Sequence, residues 1–218
     1  MKQFLSLLLL FLVFLIDCKA DTSLVATKGE DDIFTSNSTP KQKGNSSTKL
    51  KITNIDHYFP PLKPQGRNTY DVNNMFDDDS KTAWAISLDK FYPDCDQRWG
   101  PEFDVNAKEL DYIKIQNGYC KSETSYKDNA RANWITIFRI VEENEDACGP
   151  EEEDIIYRGP LRDTMEFQTL PLSPEFDNSR PTKRIGINFS SVDDDFYMGR
   201  KYRDLSISEI QVFGTPLR

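Results

Sequence analysis

The chain is predicted to fold as an all-β antiparallel sandwich, on three observations. From Lys49 onward the sequence breaks into short runs of β-branched and aromatic residues, each closed by Pro, Gly, Asn or Asp, the texture of short strands joined by turns. Ile113/Ile115, Ile135/Ile137 and Ile185/Ile187/Phe189 alternate with polar neighbours, the period of strands that bury one face. No stretch sustains a helical period and no internal repeat is visible, which points to many short strands in a sandwich or barrel.

In chain order, the first expected strand is Lys51 to Ile55, at the start of the folded part. Trp84 to Leu88 follows, opened by a large aromatic that is expected in the core. Next come Glu102 to Val105 and Leu110 to Gln116, the second closed by Asn117-Gly118. Trp134 to Val141 carries Trp134 and Phe138, both expected inside. Ile155 to Tyr157, Met165 to Leu170, Arg184 to Phe189 and Ile207 to Phe213 complete the set, the last closed by Gly214.

Ahead of these strands the chain opens with Lys2 and an apolar run from Phe4 to Ile16 broken only by Ser6, then Asp17-Cys18-Lys19-Ala20. A charged start, a short apolar stretch and small residues at Cys18 and Ala20 form the pattern of a secretory signal at 1–20; a membrane span wants about 20 apolar residues. Export to a secreted or cell-envelope location is the expectation. The rival reading makes Cys18 the lipid-modified first residue of a bacterial lipoprotein. Asp21 to Thr48, rich in Ser, Thr, Lys, Asp, Asn and Gly, buries too little surface to offset its backbone entropy and is read as a disordered linker. The folded domain is thus expected from Lys49 to Arg218.

The formal net charge is −9, and loss of Lys2, Lys19 and Asp17 with the signal leaves 25 basic against 35 acidic residues. Such a balance repels phosphate backbones and anionic membranes, so nucleic acid is not an expected partner. Cys95, Cys120 and Cys148 remain outside the signal. Their odd number allows at most one intrachain disulfide, with no pairing legible, and their spacing is not that of a zinc ribbon. Catalysis has little support: His57 is the only histidine, no nucleophile elbow or phosphate-cradling loop occurs, and no carboxylate pair stands out as a glycosidase dyad.

Two clusters could carry chemistry. Asp77-Asp78-Asp79 with Thr82 is the densest group of oxygens and suits a hard cation such as calcium. An EF-hand is excluded, because counting from Asp77 the sixth position is Thr82 and the twelfth Leu88. The alternative is a turn capped by its own side chains. The second cluster is Asn117, Tyr119, Lys121, Asn129 and Arg131 between two expected strands, with Tyr197, Tyr202 and Asp204 in a further loop from Asp193. An aromatic that stacks on a sugar ring, beside amide and guanidinium groups that read hydroxyls, is suitable chemistry for a glycan. The alternative is an Asn-Gly turn locked by its neighbours.

Three segments, NNMFDDDSKTAW (Asn73 to Trp84), IQNGYCKSETSYKDNARANWITIF (Ile115 to Phe138) and KYRDLSISEIQVFG (Lys201 to Gly214), in this order and spacing, resemble the discoidin (coagulation-factor type C) branch of the galactose-binding β-sandwiches. Within it the chain is similar to the glycan-binding module first described as the translocation domain of bacterial NAD glycohydrolase toxins. The resemblance narrows the sandwich to a jelly roll. It implies a non-catalytic carbohydrate-binding module for a cell-surface or matrix glycan, and implies no NAD cleavage, since only the accessory domain is matched. It also implies a structural calcium held by Asp77, Asp79, Thr82 and Glu209, with Asp78 standing where the family has Gly. The other reading is a protein-interaction or structural module of the cell envelope on the same sandwich, without sugar binding.

Overall fold

The computed structural model describes residues 47–57, 59–90, 100–141, 154–189 and 196–217. The expected signal, Cys18, the linker as far as Ser46, Cys95, Cys148 and Asp193 to Asp195 lie outside these residues. Eleven strands run through them: β1 (Thr48–Lys49), β2 (Thr53–Asp56), β3 (Trp84–Ser87), β4 (Glu102–Asn117), β5 (Arg131–Ala132), β6 (Trp134–Arg139), β7 (Ile155–Pro160), β8 (Gln168–Pro171), β9 (Thr182–Phe189), β10 (Phe196–Tyr197) and β11 (Asp204–Pro216). Every ladder between them is antiparallel. The fold is the antiparallel sandwich that the strand texture predicts, in the jelly-roll form that the resemblance implies.

Two long strands organise it. Where the sequence suggests separate strands at Glu102 to Val105 and Leu110 to Gln116, the chain makes one sixteen-residue strand, β4. Its first part pairs with β2 and β9, and the ladder continues through β6 to β7. Its later part pairs with β8 and β11. Between the two parts the register shifts from Asp104 to Ala107, and Asn106 takes φ 44°. A bulge of this kind adds local bend and twist, so one strand serves both layers. β11 likewise pairs first with β3 and then with β4. Its apolar parity moves from Leu205 and Ile207 to Ile210 and Val212 across that change of partner. Glu209 falls at the shift and is carried inside.

Both layers feed one apolar core. Ile135, Ile137, Ile185, Ile187 and Phe189 meet Ile113, Ile115, Ile210 and Val212. Trp84 is fully enclosed and stacks on Phe189 at 5.9 Å between ring centroids. Phe138 is buried by a different route: it lies over Gly186 on the adjacent strand β9, where a Cβ would overlap its ring. Trp134 corrects the expectation that it packs inside. It is 39 % exposed, because it sits one residue before Ile135 and the strand alternation turns it to the opposite face.

One α-helix interrupts the strands among the described residues, α1 (Glu123–Asp128). Six residues are too few for a periodic signal. Its local chemistry is nonetheless that of a helix start, with Ser122 accepting the Ser125 N–H at 3.1 Å and Glu123 paired with Lys127 four residues on.

Candidate functional site

The site is assembled at the exit of β4. Asn117 ends that strand fully buried, donating through Nδ2 to the Ala132 carbonyl at 2.6 Å while Oδ1 accepts the Ala132 N–H at 3.2 Å. Its amide thus mimics a strand partner for β5. Gly118 follows at φ 91°, and a Cβ there would overlap Tyr126 and Arg131. Only glycine fits both the left-handed backbone and the space. The turn delivers Tyr119 edge-on to Tyr70, with ring centroids 6.1 Å apart.

Arg131 fixes this loop from behind. Its guanidinium lies 4.6 Å from the centroid of the Tyr126 ring, donates to both Asp163 oxygens at 2.8 and 3.2 Å, and donates through Nη1 to the carbonyls of Tyr126 and Asn129. With 6 % exposure and its donors engaged, it is a brace. The segment after β10 then closes over the end of α1. The N–H groups of Arg200, Lys201 and Tyr202 donate to the Lys127 and Asp128 carbonyls at 2.9, 3.2 and 2.8 Å, satisfying acceptors that a helix end leaves open. Gly199 permits the approach, since a Cβ there would strike the backbone of Asp128, Asn129 and Tyr202.

The product is a pocket of about 150 Å³ lined by Tyr70, Tyr119, Asp128, Asn129, Tyr202 and Asp204, among others. It is smaller than the roughly 300–1,000 Å³ of drug-sized sites and suits one sugar-ring-sized ligand. Of the residues singled out in the sequence, Tyr119, Asn129, Tyr202 and Asp204 converge on it. Asn117 and Arg131 stand behind its wall, and Tyr197 turns away to donate to the Leu161 carbonyl at 2.9 Å. Lys121 reaches Asn68 at 2.8 Å. Tyr70 and Asp128 are additions that local sequence does not announce, one from a loop some fifty residues before Tyr119 and one from the end of a short helix.

Tyr119 is only 7 % exposed, and its hydroxyl has no hydrogen-bond partner among the described residues. Burial pushes its phenol above the ordinary range. Tyr70 is raised in the same way, with Tyr119 and Asp204 adding to the effect. Both hydroxyls therefore remain neutral donors. The Asp204 carboxyl is also raised, first by burial and then by Asp89. Tyr202 differs in being 46 % exposed, so its ring is open to a ligand face.

The Asp-rich turn forms a second, separate feature. Thr82 donates to the Asp77 carboxylate at 2.9 Å and lies 2.8 Å from the Asp79 carbonyl. Asp77 accepts the Asp79 N–H and the Asp79 side chain accepts the Lys81 N–H. Asp78 adopts φ 63° and meets Lys49 and Gln211. An Asp therefore occupies the left-handed position where the resembling family carries Gly. Beside the turn, Glu209 is 1 % exposed, and neither carboxyl oxygen has a hydrogen-bond partner of normal geometry among the described residues. Burial, then the Asp77 carboxyl, pushes it up to about 8. No group of three His, Cys, Asp or Glu side chains among the described residues is already gathered as a metal cage.

Cys120 is a free buried thiol, pushed up to about 11 chiefly by burial. His57 donates through Nδ1 to the Phe59 carbonyl at 2.8 Å, a local structural contact. No helix among the described residues is long and apolar enough to cross a membrane.

No protein-family model matches the chain, and no curated protein matches it. Solved structures do. A ZmpB chain from Clostridium perfringens that holds two family 32 carbohydrate-binding domains aligns over 36 % of its length with 78 % of this chain, at a TM-score of 0.50 and 12 % identity. The family 32 module of AlyQ, in complex with 4,5-unsaturated mannuronic acid, aligns at 0.45 and 14 % over 76 % and 98 %. The family 32 module of NanJ from Clostridium perfringens, in complex with galactose, aligns at 0.43 and 17 % over 77 % and 98 %. The likeness to the ZmpB domains is one of fold.

Proposed function

We propose that this protein is a non-catalytic carbohydrate-binding module that takes a terminal sugar of a cell-surface or matrix glycan into the Tyr119–Tyr202 pocket. One observation carries the reading: a half-exposed aromatic ring, Tyr202, lines the same pocket as Tyr119, whose hydroxyl makes no hydrogen bond among the described residues. A ring face for stacking and preset polar groups for hydroxyls are the two things that sugar recognition needs. The solved modules of this fold in complex with sugars are consistent with it. The N-terminal apolar leader supports export, with Cys18 as the alternative lipid anchor. A glycan array should identify the ligand, and Tyr202→Ala should then weaken it by about 1 kcal/mol or more while denaturation shifts by less than about 0.5 kcal/mol. Unchanged affinity in that variant overturns the site.

A structural calcium belongs to the same proposal. The fit rests on Glu209, whose buried carboxyl has no hydrogen-bond partner of normal geometry among the described residues and lies beside Asp77. Two close carboxylates without a cation are unfavourable, and calcium takes oxygen ligands of this kind. Asp77 and Glu209 would hold the ion with the Thr82 hydroxyl and main-chain carbonyls. Asp79 would join only by releasing the Lys81 N–H. Bound calcium would supply charge neutralisation and tie the turn to β11.

A further inference from the structure

The charge inside the pocket goes further than the class of ligand. Its ionisable lining, phenols aside, is the carboxyl pair Asp128 and Asp204, and no Lys or Arg side chain lines it. The other polar groups are neutral, from Gln65, Thr124, Ser125 and Asn129. Nearby cations sit outside the lining and in solvent: Lys121 on Asn68, Lys201 with its Nζ 5.5 Å from the Tyr202 ring centroid, Arg200 with its Nε 3.9 Å from Asp128, and Arg203 with its Nε 2.9 Å from Asp89. Exposed pairs of that length count for little. Arg131, the guanidinium nearest the pocket wall, is already engaged by Asp163 and two carbonyls. The Asp204 carboxylate has neither a cation nor a hydrogen-bond donor among the described residues. An ionised carboxylate only accepts hydrogen bonds, and like charges brought together at a binding surface are strongly disfavoured.

Resting on the carbohydrate reading above, we infer that the pocket selects by charge. It takes uncharged or amine-bearing sugars and rejects uronates, with Asp204 accepting from ligand hydroxyl or ammonium groups. Tyr119, whose hydroxyl is the unpartnered donor in the same space, would serve a ligand oxygen.

The test is calorimetric or NMR titration with nine monosaccharides: glucose, galactose and mannose, each as the hexose, the 2-amino sugar and the hexuronate. In the configuration that binds best, the uronate should be about tenfold weaker or worse than the hexose, and the amino sugar at least as tight. Raising sodium chloride from about 50 to 500 mM should narrow that gap, since screening shortens the reach of the carboxylates. Asp204→Asn should narrow it too, and Asp128→Asn provides the same comparison if that variant does not fold. A uronate that binds as tightly as its hexose overturns charge selection and leaves carbohydrate binding standing. So does a gap unmoved by salt and by the available variant. A folded chain that binds none of the nine overturns the carbohydrate reading itself.

Discussion

Glu209 is the residue whose environment departs furthest from its chemistry. Its side chain is carried inside where β11 changes partners, and burial together with Asp77 holds its carboxyl up at about 8, against an ordinary 4.5. Without metal, the native state keeps a proton between those values that the unfolded chain has lost. Stability should therefore be fullest below about pH 4.5, fall as pH rises towards 8 and level off above it, as far as this group decides. Glu209→Gln should flatten that slope and raise metal-free stability at pH 8 by on the order of 1–3 kcal/mol. It should also erase the rise in melting temperature expected of the parent chain with calcium under the proposed site, since a ligand stabilises only what binds it. Thermal melts from pH 4 to 9, with chelator and with calcium, measure both effects; an equal slope in parent and variant would place the cause elsewhere.

At the scale of elements, the pocket depends on backbone carbonyls at the end of α1 being capped by a loop more than seventy residues away. Two glycines separate that requirement from general packing. Gly186→Ala would press a methyl group into Phe138 and should cost about 1–3 kcal/mol of stability, with sugar affinity kept in the fraction that folds. Gly199→Ala would push the loop off Asp128 and Asn129 and move Tyr202. Its expected signature is a sugar affinity reduced about fivefold or more, by loss of a stacking contact of roughly 1 kcal/mol. Urea denaturation and sugar titration on the same two variants check the pair. Affinity intact in Gly199→Ala would mean that Tyr202 does not depend on this staple. The expected set of strands identified most of the framework and missed β1, α1, β5 and β10, each only two to six residues long. Their sequences hold no periodic pattern, because long-range partners and not local propensity make them.

Across the described residues, β4 and β11 tie both layers into one core, and the segment from Thr48 to Leu50 is part of that core. Thr48 and Lys49 pair with Gly214 and Phe213, the Leu50 N–H donates to the Val212 carbonyl at 2.8 Å, and Leu50 is buried. A chain beginning at Ser47 should keep the stability of the full-length protein. One beginning at Thr53 loses Leu50 and the β1 ladder and should be weaker by about 2–5 kcal/mol, the range for emptying a leucine site. Urea midpoints of the two would decide it; equal midpoints would make β1 an ornament of the sheet edge.

The sequence by itself determined the fold class, because alternation such as Ile185/Ile187/Phe189 leaves one way to bury an apolar face. It also marked both chemical clusters, since Asp, Asn and Tyr grouped between strands have few structural uses. The bulge at Asn106 that joins two expected strands was decided only by tertiary structure, as were the outward face of Trp134 and the retreat of Asn117 and Arg131 behind the pocket wall. So was the meeting of Tyr119 with Tyr70 and Tyr202. These depend on which distant strand or loop supplies a hydrogen-bond partner or a neighbouring ring. Local periodicity carries no record of partners fifty to ninety residues away.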